Sequence, residues 1–222
     1  MPSERANGPA PRRATDAASG GGRIYVDLDD VLSDTVTGLL RALERLRGKV
    51  VRFEEVRHFD LGRSFGLGAD ELARFMREIH RPEWLEALEV RIGAADVLGS
   101  WLERGYEVAL VTGRPPHTNA ASQRWLAKHG IPHSAFHSVD KYARHGDGDA
   151  SLSLESLAEM EFALAVEDSL ETAVFLADAL ELPVALMDRP WNRRMEDVPT
   201  RARARITRVG GWHDVAKRFA AP

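Results

Sequence analysis

The run Ile24-Tyr25-Val26-Asp27-Leu28-Asp29-Asp30-Val31-Leu32 sets the tightest limit on what this chain can fold into. A short β-branched and aromatic stretch, read as a strand over residues 24–28, ends in a cluster of acids, and a helical pattern follows. In α/β proteins, strand ends are where ligands bind, because there the backbone stops pairing with itself. Asp27 and Asp29 repel each other, and burying either is costly without a cation or a proton nearby. A divalent metal relieves that crowding, so the two are expected to form a metal-assisted catalytic pair. The alternative is an N-cap cluster in which Asp30 or Ser33 caps the next helix.

Downstream, the apolar spacing predicts helices over residues 35–47, closed by Gly48, and 69–80, with a short helical turn around Trp84, Leu85 and Leu88. The sixty or so residues after the first strand thus contain no second sheet strand. Strands are then predicted over 106–111, 136–139, 162–166, 183–187 and 206–209. Helices fall between them over 93–104, 118–129, 151–160 and 170–180, and a last one over 211–219. Residues 142–149 read as an exposed loop, and a polar loop follows Asn192. Strands alternating with helices imply an α/β fold, a Rossmann-like doubly wound parallel sheet with right-handed crossovers. Residues 23–34 and 93–222 are expected to form the core. Residues 35–92 are expected to form a small helical cap inserted after the first strand.

Four predicted strand ends carry polar groups: Asp27 and Asp29, Thr112-Gly113-Arg114, Asp140-Lys141, and Glu167-Asp168. In a parallel sheet these ends share one edge and can converge. This ordered set of Asp-x-Asp-x-Val at 27–31, the Thr112-Gly113-Arg114 turn, Lys141 and Glu167-Asp168 resembles the haloacid dehalogenase superfamily of phosphatases. The chemistry also follows from the residues. Phosphoryl transfer needs an in-line nucleophile, charge neutralisation and a proton for the leaving group. Asp27 is the candidate nucleophile, forming an aspartyl-phosphate. Asp29 is the candidate acid and then base. Thr112, Gly113 and Arg114 are candidates for binding phosphate, with a surface role the alternative for Arg114. Lys141 is the candidate counter-charge. Mg²⁺ is the expected cofactor, with Asp27 and Asp168 as its side-chain ligands. The resemblance adds the main-chain carbonyl of Asp29. Glu167 is expected as a helper behind the metal or as an acid at the start of the next helix. Asp34 is read as sitting in the first turn of the cap helix.

The insertion after the first strand, the Asp30-Val31-Leu32 run and the late Asp188-Arg189-Pro190-Trp191-Asn192 look like the cytosolic type C 5′(3′)-deoxyribonucleotidase group and its bacterial relatives. The closing Gly211-Trp212-His213-Asp214-Val215 is similar to that group's last helix. Asp30 stands where that group often has Gly, and Thr112-Gly113-Arg114 departs from the second motif of its animal members. The resemblance implies (deoxy)nucleoside monophosphates as substrates, against a sugar phosphate or other small metabolite phosphate. A catalytically silent protein that binds a ligand or partner is the reading from another class. Asp188–Asn192 is read as a turn bracing the site. Among the cap aromatics Phe53, Phe59, Phe65, Phe75 and Trp84, one or two are expected to stack on a base and the rest to form a cap core.

Composition bounds the rest. A net charge of −4 argues against a nucleic-acid polymer as partner. The absence of cysteine excludes disulfides and thiolate metal sites. No apolar run approaches the ~20 residues of a membrane span. The eight histidines show no metal-ligand spacing. Residues 1–22, rich in Ala, Pro, Arg, Ser and Gly, read as a disordered tail rather than a signal or transit peptide. The expected setting is cytoplasmic, with a small phosphate monoester as partner, no membrane, and a homodimer left open.

Overall fold

Strand β1 (Arg23–Asp27) lies inside a six-stranded sheet and pairs in parallel with β2 (Glu107–Thr112) on one side and β4 (Phe162–Glu167) on the other. The computed structural model describes residues 21–141 and 151–219. The expected loop over 142–149 lies outside the described residues, as does the expected tail over 1–22 up to residue 20. With β3 (Ala135–Ser138), β5 (Val184–Met187) and β6 (Ile206–Val209), the strand order is β3-β2-β1-β4-β5-β6, all parallel. The order changes direction between β1 and β4, and in doubly wound sheets a crevice opens there at the carboxyl ends of the strands.

Both faces of the sheet are covered, which is why the strands read as near-continuous apolar runs. Ile24 and Val26 pack on one face with Trp101, Trp125 and Trp212. Tyr25 packs on the other with Leu176, Val184 and Leu186. The first face is covered by helices α5 (Ala94–Glu103), α6 (Asn119–Lys128) and α10 (Trp212–Arg218). The second carries α7 (Leu154–Ala158), α8 (Leu170–Asp178) and α9 (Thr200–Arg203).

Between β1 and β2 the chain forms α1 (Thr35–Arg47), α2 (Leu61–Phe65), α3 (Ala69–Ile79) and α4 (Pro82–Leu85). Leu39, Leu43, Phe65, Phe75 and Ile79 make a separate apolar cluster, which Trp191 joins. The two crossings between this helical layer and the sheet run side by side. Asp34 N–H donates to Glu89 O at 2.8 Å and Arg91 N–H to Leu32 O at 2.7 Å.

Three local expectations need correction. Helices α2 and α9 have five and four residues, too few for a 3.6-residue period to register in the sequence. The start of α2 is fixed by Asp60, whose carboxylate accepts the Arg63 N–H. Helix α7 is shorter than residues 151–160, because Ser153 Oγ accepts the Ser156 N–H and so sets its start. Gly48 does close α1, in the left-handed conformation its missing Cβ permits (φ 64°).

Candidate active site

Asp27 is the last residue of β1 and Glu167 the last of β4, so the switch point of the sheet places two acids next to each other. Asp168 follows directly. Ligand atoms of Asp27, Glu167 and Asp168 all lie within 4.8 Å of one another, and all three residues are buried. Lys141, just past β3, reaches into this cluster. Its Nζ donates to Asp27 Oδ1 at 2.5 Å and Glu167 Oε1 at 3.3 Å, and it lies 5.2 Å from the centre of the Tyr25 ring. Glu167 thus faces Lys141, with Thr172 in the first turn of α8 also acting on its carboxylate, while Ser169 caps that helix.

Among the described residues three carboxylates share this space with one lysine, and their protonation reflects it. Burial raises Asp27, Lys141 opposes the rise, and Asp29 adds to it. Burial, then the charge of Asp27, pushes Glu167 up to about 8. Burial and the neighbouring Glu167 and Asp27 raise Asp168 well above the usual carboxylate range. Among the described residues Glu167 Oε2 is buried with no hydrogen-bond partner of ordinary geometry. Clustered hard oxygen donors with too little positive charge among them suit Mg²⁺. Asp27, Asp168 and Glu167 are the side chains that could hold it, so Glu167 stands within the donor cluster itself.

Asp29 occupies a different environment. Arg114 Nε lies 3.0 Å from both of its carboxylate oxygens and Nη2 lies 2.6 Å from Oδ1, while Thr35 Oγ1 donates to Oδ1 at 2.6 Å. Burial would raise the Asp29 pKa, but Arg114 and Thr35 outweigh it and the net shift is downward. Its carboxylate thus lies outside the donor cluster, and only its main-chain carbonyl remains in the metal expectation. Arg114 lines the cavity beside Gly113 and corrects the sequence reading in its surface alternative. It is buried, so it is no surface arginine. Its Nε and Nη2 are turned to Asp29, while Nη1 donates to Ser122 Oγ at 3.1 Å. Thr112 is buried and its Oγ1 accepts the Arg114 N–H at 3.1 Å; Gly113 lines the cavity above Asp27.

The third acid, Asp30, has φ 54°, the left-handed conformation that favours glycine and that Asp tolerates better than most residues. Its Oδ1 accepts from Arg91 Nη2 at 2.8 Å and its Oδ2 accepts the Val36 N–H at 3.0 Å, so it caps α1. Its carbonyl accepts from Arg189 Nη2 at 2.5 Å. Burial brings the Asp30 carboxyl up to about 7 against the opposing charges of Arg91 and Arg189. Asp34, immediately before α1, pairs with Arg91 at 2.8 Å.

Asp188–Asn192 braces the site. Trp191 Nε1 donates to Asp168 Oδ2 at 2.8 Å, and Asn192 Nδ2 donates to the carbonyls of Asp168 and Met187, each at 2.7 Å. Trp191 also lines the cavity. Of the aromatics between β1 and β2, Phe65 and Phe75 are fully buried edge to face at 6.0 Å, whereas Phe59 and Trp84 line the cavity. Phe53 meets Trp191 edge-on at 5.6 Å. The sequence offered no signal for the His80–His117 ring contact at 5.7 Å, or for the reach of Arg91 and Arg189 to Asp30, which only folding brings together.

With this geometry in view, comparison with known proteins is informative. The protein described as "Putative nucleotidase BH1399" from Halalkalibacterium halodurans is 26% identical over 190 residues, 86% of this chain and 88% of that one. A solved haloacid dehalogenase family hydrolase from Deinococcus radiodurans R1, holding phosphate and sodium, superposes with a TM-score of 0.62 at 14% identity, covering 92% of this chain and 96% of that one. A "predicted phosphatase" from Clostridium acetobutylicum gives a TM-score of 0.60 at 14% identity, covering 92% and 100%. This chain has the haloacid dehalogenase fold. Residues 81–167, less than half of the chain, match the LNS2 domain of PITM 1–3. Human membrane-associated phosphatidylinositol transfer protein 1 is 32% identical over 71 residues, 32% of this chain but only 6% of that protein. Among the described residues no helix is long and apolar enough to cross a membrane.

Proposed function

We propose that the chain is a Mg²⁺-dependent phosphomonoesterase that works through an aspartyl-phosphate, with (deoxy)nucleoside monophosphates as the leading substrate class. The observation that carries this reading is the meeting of Asp27, Glu167, Asp168 and Lys141 at the switch point of the sheet. Bound Mg²⁺ would supply positive charge to the phosphate oxygens. A carboxylate oxygen of Asp27 attacks phosphorus, forming a P–O bond as the ester P–O bond breaks. Asp29 gives a proton to the departing alkoxide, then takes one from the water that attacks the phospho-Asp27 and releases phosphate. Lys141 holds Asp27 oriented and offsets charge as the phosphoryl group arrives. With Arg114 and Thr35 on its carboxylate, Asp29 is poised as the base, and its acid role requires the Arg114 contact to loosen as substrate settles. Residues 35–92 act as the cap that encloses the leaving group. The nucleotide class draws its support from the 26%-identical relative, and a sugar phosphate is the competing class.

The test is turnover of a monophosphate panel with and without Mg²⁺, in wild type, Asp27→Asn and Asp29→Ala. Asp27→Asn should lose activity by about 10³-fold or more. Asp29→Ala should lose more on alkyl than on aryl phosphates, because a proton donor matters most for a basic leaving oxygen. Unchanged activity in Asp27→Asn rejects the mechanism. Turnover of sugar phosphates equal to or better than that of nucleotides rejects the nucleotide class.

A further inference from the structure

The cavity that opens above Asp27 has a volume of about 880 Å³, far more than a phosphate group fills. Its floor is polar, with Asp27, Lys141 and Asp168. Its walls are largely apolar. Leu39, Leu61, Leu72, Met76, Leu85 and Leu88 line them, contributed by helices α1 to α4 and the segment after α4. Of the other polar side chains on the lining, Asp29, Asp30, Thr35 and Arg114 are already engaged with one another or with neighbouring groups, and Arg41 and Asp60 are solvent-exposed. His58 and His80 also lie on it. Burial lowers the pKa of both, that of His80 to about 4, so His80 is neutral at pH 7. Leu72 is half-buried yet belongs to none of the three apolar clusters among the described residues, although it lines the cavity.

Such walls discriminate by what they lack. A polyhydroxylated group leaving water for this surface finds few side-chain partners for its hydroxyls and loses hydrogen bonds. A hydrocarbon or aromatic group loses none and gains by leaving water. We propose that this cavity selects phosphate monoesters whose organic group presents an apolar or aromatic surface and turns away polyol phosphates, with Leu72 among the residues that set the choice. The proposal rests on the phosphomonoesterase reading and sharpens its substrate class. Flat aromatic bases satisfy it, and so do simple phenylalkyl groups.

The decisive comparison is 3-phenylpropyl phosphate against glucose 6-phosphate with Mg²⁺. Both are esters of primary alcohols, so the leaving oxygens are similarly basic and the difference falls on the cavity. The expected kcat/KM ratio is about tenfold or more in favour of the phenylpropyl ester. In Leu72→Gln, a substitution that keeps good helix propensity in α3, the ratio should narrow. Met76→Gln is the second variant if the first does not fold. Calorimetry with wild-type protein and the non-hydrolysable 3-phenylpropyl phosphonate reads the cavity without turnover, and binding should be about tenfold tighter than that of inorganic phosphate. Equal or better turnover of glucose 6-phosphate overturns the proposal, as does phosphonate binding no tighter than phosphate. Tight phosphonate binding with no turnover of any ester supports the cavity's selectivity and overturns the phosphatase reading instead.

Discussion

Replacing Lys141 with Met tests the charge balance at the centre of the site. The Lys141 side chain is 2% exposed and its ammonium stands 2.5 Å from Asp27 and 3.3 Å from Glu167. Methionine nearly preserves the volume, so packing changes little. What is lost is the cation between two buried carboxylates, and breaking a buried pair on one side costs about 3–5 kcal/mol. At about 2–4 °C per kcal/mol for a chain of this size, the melting temperature should fall by roughly 6–20 °C. The loss must depend on pH, and its sign is fixed. Asp27 and Glu167 already have folded pKa values above their ordinary ones, with Lys141 opposing the rise. Removing Lys141 raises them further. Carboxyls shifted upward stabilise the fold fully below their unfolded pKa and lose that contribution as pH rises through the folded value. The deficit of the variant should therefore be small near pH 4 and widen towards pH 8. Urea denaturation followed by tryptophan fluorescence, in EDTA at several pH values, measures it. Added Mg²⁺ should recover part of the loss. Equal stability of the two proteins at pH 8 in EDTA, or a loss independent of pH, refutes the reasoning.

Two further outcomes follow from the same geometry. Trp191→Phe removes the indole donor 2.8 Å from Asp168 Oδ2 and should weaken Mg²⁺ binding about tenfold or more by calorimetry, because groups that orient ligands tune metal affinity; an unchanged affinity excludes that role. Asp30→Ala and Asp30→Gly both lose the Arg91 pair and the α1 cap, but only Ala keeps a Cβ at φ 54°. The Ala variant should be less stable than the Gly variant by about 1 kcal/mol in urea denaturation, and equal stability would count against strain at residue 30.

How much of this was legible beforehand depended on the range of the interaction. The strands were visible because a sheet buried on both faces demands unbroken apolar runs, as in Val108–Val111 and Ala163–Val166. Asp27, Glu167 and Asp168 were legible as candidates because each stands at the end of such a run, and Lys141 because it follows a plausible strand; parallel topology carries all strand ends to one edge. The fold of Arg114 back onto Asp29, 85 positions away, could not be read, because nothing local distinguishes such an arginine from a surface one. Trp191 was assigned to a bracing turn, but its indole bond to Asp168 could not be read from neighbours. Asp30 was noted as an oddity at a glycine position; its partner Arg91 lies 61 residues on.

The sequence by itself therefore determined the α/β class and the acids at the strand ends, since periodicity and local propensity are properties of neighbouring residues. Tertiary structure alone decided which charges neighbour which: Asp29 with Arg114, Asp27 with Lys141, Asp168 with Trp191. It also decided that the space above them is walled by leucines. Both are set by the distances between elements, which depend on how the whole sheet and its helices pack.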